Sequence, residues 1–191
     1  TRAAIIEYEE SVALGADIDI AFLPLAKAFT RLRDYDNVIK LSTAMLNPNN
    51  TFEITLLQAV AYENTLDIEK ALEKYFAAYE LQQDNIEAIN NIAGFHLRQN
   101  NLDKSAYYIE RAESVVPDNA HTLHLRGQLH QEQGTLPKAL FYFQAAYEKL
   151  PSDPFISRSL ANTYVSLKQF DRARLIVDNI LAITPDEPFI M

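Results

Sequence analysis

Large apolar side chains recur along this chain three and four residues apart, the spacing that gathers them on one face of a helix. The runs last about 12–14 residues and are broken by short polar turns. β-Branched residues nowhere alternate with polar ones for long, and Ala, Leu, Glu, Lys and Gln, all good helix formers, dominate between the turns. The pattern predicts an all-α protein, with turns at Arg33-Asp34, Asn64 to Leu66, Asn100-Asn101, Gly134-Thr135 and Lys168-Gln169. A longer period overlies the helical one. Pro117, Pro151 and Pro185 stand 34 residues apart, and so do the small residues Ala59, Ala93, Gly127 and Ala161. Ala71, Ser105, Ala139 and Ala173 form a second small series; Tyr75, Ile109, Phe143 and Val177 a large apolar one. Ala78, Ala112, Ala146 and Ile180 keep the same step, as do the ring-bearing Tyr62, His96, His130 and Tyr164. Agreement among five registers across four units marks an internal repeat of two short helices, each too one-sided to be stable alone.

This pattern resembles the tetratricopeptide repeat. In that family's numbering the small residues fall at positions 8 and 20, the ring at 11, a large apolar residue at 24, Ala at 27 and Pro at 32. The full units would be 52–85, 86–119, 120–153 and 154–187, after a half unit at 1–18 and an earlier unit at 19–51 whose second helix is shorter, and before the start of another at 188–191. The resemblance implies a right-handed α-solenoid, a superhelix of stacked antiparallel helix pairs making one domain over 1–191. Close approach of paired helices needs the small residues, and Pro117, Pro151 and Pro185 each end a second helix, whereas Gln83 takes that place in the unit 52–85 and should loosen its junction slightly. Pro24, inside a first helix, predicts a late start or a kink there. Arg126 stands where Leu is usual, so its head must reach an edge or a partner.

Composition narrows the function classes. The chain is 48% hydrophobic and 23% charged, ordinary for a folded globular protein, and it has no Cys, which excludes thiolate catalysis and Cys-ligated metal. A net charge of −9 with no basic stripe opposes nucleic-acid binding. No apolar run is long enough to span a membrane, and the first residues read as the middle of an amphipathic helix rather than a signal peptide. A membrane anchor would therefore lie outside this fragment. The exposed terminal repeats could support a homodimer.

By the same resemblance, positions 2, 5, 9, 12 and 13 of each first helix would line a concave groove that holds an extended peptide or helix of a partner protein. The candidates are Lys27, Arg31, Glu53 and Asn64, then Asn90 and Arg98, then His121, His124, Gln128 and Gln131, then Phe155, Arg158 and Asn162. Asn and Gln can bond a peptide backbone whatever its sequence. Arg158 and Asn162 imitate half of the family's carboxylate clamp, with Asn91 as a further element. They stand two units apart in the wrong order, and Glu53, Glu87 and Glu132 share the face, so they read as solvated polar residues. His121 and His124, three apart, share a helical face but read as structural or surface rings rather than metal ligands. No motif for catalysis or for a cofactor is present. The stretches Ser11-Val12-Ala13-Leu14-Gly15-Ala16-Asp17, Leu23-Pro24-Leu25-Ala26 and Asp34-Tyr35 look like part of the large bacterial tetratricopeptide lipoproteins of exosortase and exopolysaccharide systems. That similarity implies a periplasmic or membrane-anchored protein, with a cytoplasmic location as the alternative. The expected function is a non-enzymatic interaction scaffold; the alternative is a saccharide-binding or envelope-assembly module.

Overall fold

A computed structural model describes residues 2–183 as eleven α-helices, with no strand among the described residues. Pro185 and the start of a further repeat at 188–191 lie outside that span. The chain divides at Ala88 into two compact units. The first contains α1 (Arg2–Ala13), α2 (Ile18–Arg31), α3 (Tyr35–Lys40), α4 (Pro48–Asn64) and α5 (Ile68–Leu81). From within α6 (Ile86–Arg98) onward, the second contains α7 (Leu102–Val115), α8 (Ala120–Glu132), α9 (Leu136–Lys149), α10 (Pro154–Ser166) and α11 (Phe170–Ile183). No described helix is long and apolar enough to cross a membrane.

The repeat registers become the core. Ala59, Ala93, Ala71, Ser105, Ala139, Ala78, Ala112 and Ala146 are fully buried, with Tyr75, Ile109 and Phe143 filling the space beside them. Gly127 is required by contact: a Cβ there would stand 2.5 Å from two ring carbons of Phe143. Arg126 finds the partner its position demands, pairing through two hydrogen bonds with Glu113 of α7, Nε to Oε1 at 3.0 Å and the second guanidinium nitrogen to Oε2 at 2.5 Å.

Turns and caps keep the same step. Asn85, Asn119 and Asp153, 34 apart, each accept hydrogen bonds from the first free amides of α6, α8 and α10. Leu66, Asn100, Gly134 and Lys168, also 34 apart, all adopt positive φ after a first helix, as does Arg33. In each, the next residue's amide reaches back five residues, as in Asp67 N to Tyr62 O at 2.9 Å and Gln169 N to Tyr164 O at 2.8 Å. These are Schellman turns, and Gly15 closes α1 the same way.

Two details differ from the sequence reading. Helix α2 begins at Ile18 and includes Pro24, so its start is not late. The carbonyl that proline leaves unpaired belongs to Ile20, 73% exposed, where water can take it. Helix α4 begins at Pro48, four residues before the expected unit boundary. Asn47 caps it through Asn50 N at 2.9 Å, and Asp19 holds Asn47 N at 2.8 Å. Helix α3 is correspondingly short, and the buried Gln58 side chain donates to Leu41 O at 2.8 Å beyond its end.

Candidate functional site

First helices present one side to the second helices and the other outward. In the second unit the outward sides of α6, α8 and α10 enclose a recess of about 250 Å³. Gly94, Leu97 and Arg98 contribute from α6, Gln128, Gln131 and Glu132 from α8, Ser159 and Asn162 from α10. Of the candidates named above, the recess brings together Arg98, Gln128, Gln131 and Asn162. Gly94 leaves room for the Arg98 head, whose guanidinium nitrogen lies 3.0 Å from where a Cβ would project. The side-chain amides of Gln128, Gln131 and Asn162 make no hydrogen bond among the described residues, so each offers a donor and an acceptor to a ligand. With one cation, one carboxylate and three amides, the lining suits a neutral polar chain better than a strongly charged group.

The remaining candidates sit elsewhere. Asn90 is spent inside the fold: its carbonyl accepts from Thr122 Oγ1 at 2.9 Å, and its amide points at the α8 cap, Asn119 Oδ1, at 3.5 Å. His124 packs on the Phe143 ring at 5.5 Å, with Nε2 2.8 Å from Ser159 Oγ. Burial pushes its pKa down to about 4, and the nearby His121 and Arg158 add to the effect against the opposing Asp153. His121 is exposed. Arg158 lies over the Phe155 ring at 5.5 Å, outside the recess, and both are exposed. In the first unit Lys27 pairs with Glu53 at 3.5 Å, Asn64 donates to Val60 O of its own helix at 2.8 Å, and Arg31 is exposed in the last turn of α2.

Ser159 is the recess residue the sequence reading missed. It stands three before Asn162 and so shares its face, a helical relation that was available to be read. No cluster of three or more His, Asp or Glu able to hold a metal exists among the described residues. The ring positions are internal. His96 stacks on Tyr108 at 5.8 Å and His130 on Tyr142 at 5.3 Å. Where the ring is tyrosine, a cation covers it instead: Lys70 lies 5.5 Å from Tyr62 and Arg172 5.9 Å from Tyr164.

Comparison with known proteins agrees with this geometry. Residues 130–189 match the family model described as tetratricopeptide repeat. No curated protein matches the sequence. Among solved structures, TTC0263, a thermophilic tetratricopeptide protein of Thermus thermophilus, superimposes with a TM-score of 0.66 at 19% identity, over 97% of this chain and 92% of that one. Cut9, from the APC/C hetero-tetramer Cut9–Hcn1, gives 0.77 at 12% identity over 97% of this chain and 37% of its own. MamA from Desulfovibrio magneticus RS-1 gives 0.56 at 14% identity, with 97% and 96% covered. At these identities the likeness is one of fold. The 34-residue register, the helix pairs it builds and the family match over residues 130–189 converge on a tetratricopeptide-repeat fold.

Proposed function

We propose that this protein is a non-enzymatic scaffold whose second unit holds an extended segment of a partner protein across α6, α8 and α10. The observation that carries the reading is the set of three uncommitted amides, Gln128, Gln131 and Asn162, in one recess with Leu97 and Arg98. A main chain offers alternating N–H and C=O groups, and such amides pair with either without regard to sequence. Leu97 supplies an apolar floor, and the single Arg98 and Glu132 add weak charge preference. Cut9 is itself found in a complex with a second protein, Hcn1, which fits the scaffold reading.

Peptides selected from a random displayed library against the whole chain provide the test. Their binding should weaken roughly tenfold or more in the double variant Gln128→Ala with Asn162→Ala, at an unchanged melting temperature. Asn90→Ala is unsuitable for this purpose because Asn90 joins α6 to the α8 cap. Selected peptides that bind the double variant as tightly as wild type, or a preference for glycans over peptides, would overturn the proposal.

A further inference from the structure

A second feature of the same unit keeps step with the repeat. Tyr107, Phe141 and Leu175 occupy one register on α7, α9 and α11 and are 63%, 63% and 60% exposed. Single exposed apolar residues are commonplace, whereas three in one register on successive second helices make a row. Two members are held in place. Tyr107 meets Tyr108 edge-on at 5.1 Å and Phe141 meets Tyr142 at 5.2 Å, and those inner rings are stacked on His96 and His130. A ring already fixed loses little rotamer freedom when it is covered.

Charges beside the row are ordered as well. Four residues before each apolar side chain stand Asp103, Pro137 and Asp171; three before stand Lys104, Lys138 and Arg172, all exposed. At about 100° per residue, these two places fall on opposite sides of the apolar residue, roughly one turn below it. On α7 and α11 the apolar side chain is therefore flanked by a carboxylate on one side and a cation on the other. None of these four charged groups has an ion-pair partner among the described residues, though Arg172 donates to Gln169 Oε1 at 3.2 Å and covers Tyr164.

We propose that this row binds a second copy of the chain, about a two-fold axis parallel to the helices and passing over Phe141. Such an axis reverses the order of the helices and keeps their direction. Phe141 then meets Phe141 of the partner subunit, and Tyr107 meets the partner's Leu175. The acidic side of α7 faces the basic side of the partner's α11 at the same height, so Asp103 meets the partner's Arg172 and Lys104 meets the partner's Asp171. A two-fold running across the helices would instead set Asp103 toward the partner's Glu110, acid on acid. Local alternation of sign thus selects one dimer and offsets the self-repulsion of a chain of net charge −9.

The mass of the whole chain by sedimentation equilibrium, over a concentration series reaching hundreds of micromolar, tests the proposal. Wild type is expected to dimerise, less tightly as salt is added. Phe141→Glu should weaken the dimer roughly tenfold or more. One variant carries Lys104→Glu with Arg172→Glu, the other Asp103→Lys with Asp171→Lys. Each should stay monomeric alone, and the two should form a heterodimer when mixed, a recovery that misfolded chains would not show. A wild type monomeric throughout, a Phe141→Glu chain as dimeric as wild type, or a mixture that does not associate would overturn it.

Discussion

At the scale of residues, the fold is set by what has been left small. Gly127 faces the buried Phe143 ring with no space for a methyl group. Gly127→Ala should cost about 1–3 kcal/mol in urea unfolding, through displacement of that ring. Ala93→Leu and Ala139→Leu, at fully buried sites, should cost a similar amount, about 1–3 kcal/mol. An unchanged midpoint in all three would mean that the small registers do not govern helix approach. These positions were legible in the sequence because size recurs at a fixed step, and packing is the reason it recurs. The state of a polar side chain was less legible. Asn90 and Gln128 look equivalent along the chain, yet Asn90 is consumed by Thr122 and Asn119 while Gln128 stays open. That difference depends on which partner lies a repeat away, not on the residue itself.

Helices and turns show a different mixture. The turn after each first helix was placed correctly from polar composition, but its left-handed conformation is carried by Arg33, Leu66, Asn100 and Lys168 as well as by Gly134. A positive φ is signalled in sequence by glycine, and only one of these five turns has it. The hairpin geometry imposes the conformation and the residue bears the strain. Leu66 is 81% exposed, so its side chain contributes little packing in return. Leu66→Gly is therefore expected to raise stability by up to about 1 kcal/mol, read as a higher thermal midpoint, and a lower midpoint would refute the strain argument. Proline was the weaker guide. Pro24 proved tolerable within α2 because the orphaned carbonyl is on a solvent-exposed residue, whereas Pro48 opens α4 where proline fits best.

Across the molecule, the two units differ in how they should respond to acid. All four histidines lie in the second unit. Burial lowers the pKa of His96, His124 and His130; Lys104 adds to the effect at His96, and Lys138 and Arg126 add to it at His130. The folded state prefers these rings neutral, so their contribution is present above the unfolded pKa near 6.5 and is lost as pH falls towards the folded values. For His124, about 4 when folded, the loss reaches roughly 2 kcal/mol by pH 5. Hydrogen exchange at pH 5 and 7, corrected for intrinsic rates, should show protection falling in residues 89–183 before it falls in 2–88; equal loss in both would contradict this. The first unit carries the irregularity of the repeat instead. Between the turn residues Arg33 and Leu66 the step is 33 rather than 34, and the helices on either side remain in place. The missing residue is absorbed by the segment 41–47 that joins the short α3 to the capped α4, where Met45 is 81% exposed. That connection acts as an expansion joint. A few glycines and serines spliced after Ala44 should shift the thermal midpoint little, making it the natural place to lodge a fluorescent or affinity tag without disturbing the helices around it.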